Sequence, residues 1–273
     1  MWVEAIEKRT SIRTYDIKPL DDKLKEKIID YLNNIQGPFD QKVRFVMINI
    51  EESHSNKLGT YGVIKGAKNY IAAITNKKPR SMEQLGYILE KGILYATSLG
   101  LGTCWLAGTF KRQEFAKTVD LDGNEELPVI TPVGYPRDKR SMLESFMRMA
   151  AGSKTRKDFK ELFFDQQWDK PLDHKQPDKY VRALEMVRLS PSASNKQPWR
   201  VLVENNKFHF YLQRNKGYGE SLGYDVQKID IGIAMCHFEV AIQELGFKGK
   251  WVDVESQLQN IDSREYIVTF IIE

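Results

Sequence analysis

Leu99-Gly100-Leu101-Gly102-Thr103-Cys104-Trp105 and Leu245-Gly246-Phe247-Lys248-Gly249-Lys250-Trp251 read as two versions of one string. Each ends a helix-like apolar pattern with glycine, which takes the left-handed conformation after a helix at no steric cost, and each runs on to tryptophan. A further glycine stands fourteen residues before each turn, Gly86 before Gly100 and Gly232 before Gly246. The similarity extends outward from these turns. In the first half, after a short extended opening, Leu24, Ile28, Leu32 and Ile35 recur at helical spacing as far as Gly37-Pro38. Residues 43–50 and 70–75 are strand-like, Leu85, Ile88, Leu89, Ala96 and Leu99 mark a buried helix, and residues 128–133 give a third strand. The second half repeats the order, with Val181, Leu184 and Val187 on a helix, strands at 200–204 and 208–212, a helix, and a last strand at 266–272. Trp199 directly precedes the first of these strands. A duplicated chain is expected: residues 1–145 as one half, 146–175 as a connecting segment and 176–273 as the other half.

Composition agrees with a folded, water-soluble protein. The 273 residues are 41% hydrophobic and 11% aromatic, enough for a sizeable core. No apolar run approaches the ~18–20 residues that span a bilayer, and Glu4, Glu7 and Lys8 stand where a secretory segment would be apolar, so a cytoplasmic location is expected. A net charge of +4 is too small to indicate nucleic acid. Arg137, Lys139, Arg140, Arg148, Lys154, Arg156, Lys157 and Lys160 crowd one segment, which reads as a solvated connection. Cys104 and Cys236 lack any C-x-x-C pattern and read as buried packing residues, and His54, His174, His209 and His237 show no metal-ligand spacing.

Four strings carry chemistry. Arg9, Ser11 and Arg13 alternate, so an extended segment points all three to one face, where two guanidinium forks and a hydroxyl suit a phosphate monoester, although by itself the string also reads as an ordinary basic segment. Ser190-Pro191-Ser192-Ala193-Ser194-Asn195-Lys196-Gln197-Pro198-Trp199 is held by two prolines and offers the amides of Asn195 and Gln197 to the edge of a pyrimidine-like ring, although the same residues could form an ordinary helix-to-strand turn. In Gly102-Thr103-Cys104-Trp105-Leu106-Ala107-Gly108, small residues would let a flat ligand approach the main chain, or simply make a tight turn. Val133-Gly134-Tyr135-Pro136-Arg137-Asp138-Lys139-Arg140 ends a strand and presents cations beyond it, either for phosphate or for solvent.

Together these strings resemble the nitroreductase family of FMN-dependent oxidoreductases over nearly the whole chain. The resemblance implies an α+β, three-layer fold whose two tandem halves form an intramolecular pseudo-dimer around antiparallel sheets. It implies FMN as cofactor, its phosphate held by Arg9, Ser11 and Arg13 with help from Lys139 or Arg140. Leu106, Ala107 and Gly108 would turn backbone N–H groups to the flavin ring, Tyr61 and Gly62 would approach its pyrimidine end, and Ser192, Ala193, Asn195 and Gln197 would meet it from the other side. Hydride from NAD(P)H would pass through FMN to a small electron-poor acceptor such as a nitroaromatic or a quinone, with no catalytic side chain needed. Reductive dehalogenation, flavin-dependent dehydrogenation and a flavin-sensing role without turnover remain open. Relatives are homodimers with both motifs in every subunit. Here R-x-S-x-R occurs only in the first half and the serine-rich loop only in the second, so one site per chain and a working monomer, with or without further dimerisation, are expected.

Overall fold

The computed structural model describes residues 1–50, 59–137, 155–173, 180–254 and 263–273. The chain divides into two compact units, Lys8–Ala150 and Met1–Glu7 with Ala151–Glu273.

In the first unit, Asp21 caps helix α2 (Asp22–Asn34) by accepting the Leu24 N–H, and the helix buries Ile28 and Leu32. Strands β1 (Val43–Asn49), β2 (Asn69–Asn76), β3 (Gly102–Thr103) and β4 (Glu125–Gly134) form an antiparallel sheet in the order β1-β2-β4-β3. Its middle strand β2 is buried along almost its whole length, which explains why its sequence is a continuous apolar run and not an alternation. Helix α3 (Ser81–Ser98) is buried nearly all round, and the short α4 (Arg112–Ala116) sends Phe115 into a cluster with Tyr70, Phe110 and Ile130.

The second unit repeats this plan. Helix α5 (Phe159–Leu162) leads into β5 (Phe163–Asp165), and α6 (Val181–Arg188) precedes β6 (Trp199–Glu204) and β7 (Lys207–Gln213). Helix α7 (Val226–Glu244) is followed by β8 (Gly249–Val252) and β9 (Arg264–Ile272). The sheet order is β5-β6-β7-β9-β8; without β5, its pairing is that of the first unit element for element. Phe208, Phe210, Phe238, Trp251 and Phe270 interlock between this sheet and α7. The duplication also holds in detail. Gly100 (φ 78°) and Gly246 (φ 88°) both turn left-handed after their helices, and Trp105 and Trp251 both donate their indole N–H to a glutamate of the preceding helix, Glu90 and Glu239. The α+β fold of two tandem halves is as expected.

Several local expectations need correction. The opening is not extended from its start: Trp2–Lys8 is a helix, α1, and residues 9–15 alone are extended. A helix this short is unstable alone, and it is fastened by Glu244, which accepts from the Met1 amino group at 2.9 Å and from the Trp2 and Val3 N–H groups, while Val3, Ala5 and Ile6 are buried. Trp199 lies inside its strand. The second sheet is mixed, since β5 pairs in parallel with β6. Cys104 and Cys236 are buried and unbridged, as read from the sequence. No helix among the described residues is long and apolar enough to cross a membrane.

Candidate functional site

In the first unit the R-x-S-x-R segment is built into the sheet edge. The Ile12 N–H donates to Thr103 O at 2.8 Å, the Lys65 N–H to Arg13 O at 2.8 Å, the Tyr15 N–H to Lys65 O at 2.9 Å, and the Arg137 N–H to Thr14 O at 3.1 Å. Ser11 bridges Thr103 and Tyr15 bridges Pro136, so three of the four strings singled out in the sequence meet here. Two glycines make the approach possible. A side chain at Gly102 would run into Ile12, and a Cβ at Gly66, whose φ is +78°, would lie 2.5 Å from Tyr15 O. Gly66→Ala is therefore expected to lower stability by about 2 kcal/mol, from the left-handed φ and overpacking together, and to loosen the arginine segment. A thermal shift below 1 °C would show that the segment is not held at this point.

Both arginines are partly buried and carry guanidinium nitrogens that are wholly buried. The Arg9 side chain is 7% exposed, and its Nε stands 3.7 Å from Oε1 of Glu90, whose side chain is 0% exposed. The other Glu90 oxygen accepts from Trp105 Nε1 at 2.8 Å. Arg9 Nε and both Nε and Nη1 of Arg13 are buried with no hydrogen-bond partner. Buried guanidinium N–H groups left unpaired cost free energy; an anion with several acceptor oxygens would satisfy them, and a phosphate monoester fits. Glu90 was invisible to the motif reading. Its one signal is an acidic residue in the middle of a largely apolar helix, where it must be paired.

The glycine-rich turn fits in part. The Leu106 N–H donates to Ile130 O at 3.0 Å and its side chain is buried, so Leu106 is committed to the sheet and its N–H does not face a ligand. Beyond it Gly108 is exposed, and Arg112 donates to Ala107 O at 2.8 Å, fixing the turn from below. Tyr61 (φ 49°) is 67% exposed, and Gly62 (φ 75°) has open space where a side chain would be. Lys139 and Arg140 lie outside the described residues.

The serine-rich loop belongs to the second unit and is unusually constrained. Ala193–Asn195 forms a single 3₁₀ turn, and Ser194 (φ 46°), Asn195 (φ 55°) and Gln197 (φ 49°) all take left-handed backbone conformations that side chains disfavour. Such strain persists only where surroundings over-determine it. Here the Gln197 N–H donates to Ser192 Oγ at 2.9 Å, the Ala193 N–H to Asp230 Oδ1 at 2.9 Å, Arg200 Nη1 to Gln197 O at 3.1 Å, and the Tyr218 hydroxyl to Ser194 Oγ at 2.8 Å. The amides turn inward. Asn195 Oδ1 accepts from Arg156 at 2.9 Å and its Nδ2 donates to Thr155 O at 2.7 Å. Gln197 Oε1 accepts the Lys157 N–H at 2.9 Å and its Nε2 donates to Asn195 O. Each amide has partners in its own chain, and together they fasten the loop to residues 155–157. Arg156 and Lys157 thus serve the loop instead of being merely solvated. Burial, with Arg200 nearby, lowers the Lys157 pKa, and burial brings that of Arg200 down to about 10.

Comparison with known proteins follows this geometry. The family model described as "Putative TM nitroreductase" matches residues 2–242. No curated protein matches. Among solved structures, a putative nitroreductase from Thermotoga maritima MSB8 superposes with a TM-score of 0.63 at 20% identity, covering 99% of this chain and 92% of its own. A nitroreductase family protein from Clostridium difficile 630 covers 54% of this chain and 91% of its own, at 21% identity and TM-score 0.42. An FMN-dependent nitroreductase from Clostridium difficile R20291 covers 50% and 88%, at 19% identity and TM-score 0.41.

Proposed function

Since the chain belongs to the nitroreductase family described by that model, we propose that it is an FMN-dependent oxidoreductase that moves reducing equivalents from NAD(P)H to a small electron-poor acceptor. The observation that carries the reading is the set of buried guanidinium nitrogens on Arg9 and Arg13 that have no hydrogen-bond partner, which an anion would satisfy. Bound FMN would supply the redox chemistry, accepting hydride at its ring and returning two electrons to a nitroaromatic or a quinone.

The chain's own residues supply position. Arg9, Ser11 and Arg13, with Lys139 or Arg140, take the phosphate. Ala107 and Gly108 offer a small-residue surface for the ring, and the Tyr61-Gly62 turn its pyrimidine end. Ser192, Ala193, Asn195 and Gln197 present a loop of fixed shape, because the strained residues 194, 195 and 197 are fastened from several sides. Preorganised surroundings of this kind need no reorganisation during reaction. No side chain is assigned a proton-transfer role.

The purified protein is expected to be yellow or to take up added FMN with quenching of flavin fluorescence. Under anaerobic conditions NADH or NADPH is expected to bleach the bound flavin, and a quinone or a nitroaromatic to restore its colour. Protein that ignores FMN, or bound flavin that neither nicotinamide reduces, would reject the proposal.

A further inference from the structure

Helices α2 and α6 end at the equivalent residues Ile35 and Leu189, the C-caps of the two copies. Four residues further along stand Phe39 and Ala193, and in both copies the backbone N–H at that place is taken by a side chain from the first turns of the next long helix. The Phe39 N–H donates to Gln84 Oε1 at 2.9 Å, and the Ala193 N–H donates to Asp230 Oδ1 at 2.9 Å. Gln84 and Asp230 both stand two residues before the repeated glycines Gly86 and Gly232. The same clasp therefore occurs twice, built from different residues.

The difference in length is compensated. Gln84 reaches its target by passing under Gly37, where any Cβ would collide with its amide group. The position corresponding to Gly37 in the second copy is Pro191, which has a Cβ, and there the reaching side chain is the shorter aspartate. Asp230 is buried on α7, and its second oxygen has no hydrogen-bond partner. Burial pushes the carboxyl well above its ordinary range, opposed by the Ala193 N–H and assisted by Asp225. Asparagine has the same shape and keeps an acceptor for the Ala193 N–H.

We propose that Asp230 is the positioning residue of the serine-rich loop: acting through the Ala193 N–H, it sets the shape in which residues 192–197 meet the cofactor, and Pro191 with Asp230 forms a matched pair, as Gly37 with Gln84 does in the first copy. The role in cofactor binding rests on the FMN reading above; the clasp itself does not.

The test is amide hydrogen exchange at Ala193 together with FMN titration. Asp230→Ala is expected to speed exchange at Ala193 at least tenfold and to weaken FMN about tenfold, whereas Asp230→Asn, which keeps the acceptor, stays within twofold of the unaltered protein in both. Asp230→Gln is expected to behave like the alanine variant, and the double variant Asp230→Gln, Pro191→Gly to regain slow exchange. Loss of fold alone would not produce that pattern of rescue. Unchanged exchange in folded Asp230→Ala overturns the clasp. If that variant does not fold, an Asp230→Gln, Pro191→Gly protein that exchanges no more slowly than Asp230→Gln overturns it instead. Faster exchange with unchanged FMN affinity overturns the positioning role. Should even the unaltered protein bind no FMN, the functional reading fails while exchange at Ala193 still decides the clasp.

Discussion

With Arg9 and Arg13 both replaced by alanine, FMN affinity is expected to fall at least a hundredfold, measured by fluorescence titration. Charge-assisted contacts contribute roughly 1.5–3 kcal/mol each and ~1.4 kcal/mol corresponds to a factor of ten, so two such contacts exceed a hundredfold together. The single variants separate binding from folding. Arg13 has two buried nitrogens with no partner to lose, so Arg13→Ala should leave the free protein as stable as before or slightly more so. Arg9→Ala should destabilise, because it removes a cation from beside the buried Glu90 carboxylate. An affinity loss below fivefold in the double variant would place the phosphate elsewhere.

Glu90→Leu is expected to show the largest loss of stability. The carboxylate is fully buried between Arg9 and the Trp105 indole, and removing one partner from a buried, hydrogen-bonded ionic group typically costs about 3–5 kcal/mol, since the remaining charge is left without compensation. Denaturation in urea reads the change directly. Glu90→Gln keeps an acceptor for Trp105 and should recover part of the stability, but not the orientation of Arg9, so FMN binding should stay impaired. A loss below 1 kcal/mol for Glu90→Leu would mean that the arginine and the tryptophan are held by other contacts.

The repeat and most of the element order were readable from residue pattern because apolar periodicity and glycine placement are local signals. What could not be read depends on distant partners. Trp2–Lys8 is polar enough to pass for a strand or coil, and becomes a helix because Glu244, more than two hundred residues away, satisfies its first N–H groups. The three-residue β5 and the two-residue β3 are too short for any period to register. At the site, the alternation of Arg9, Ser11 and Arg13 was legible, since extended backbone and shared charge are both written locally. The partners of the Asn195 and Gln197 amides were not legible, because nothing in the loop announces that residues 155–157 will meet them. Glu90, Gln84 and Asp230 carry no motif at all; they stand out only as polar groups on helices that are otherwise buried.

Helix α1 is built with the unit that otherwise begins at Ala151, so in the order of synthesis the opening residues emerge long before the carboxylate that fastens them. The intervening unit, Lys8–Ala150, is compact by itself and can reach its native form while the ribosome is still making the rest. Docking of helix α1 is then a late event of assembly, and a chain cut off before Glu244 would leave that helix without the carboxylate that fastens it.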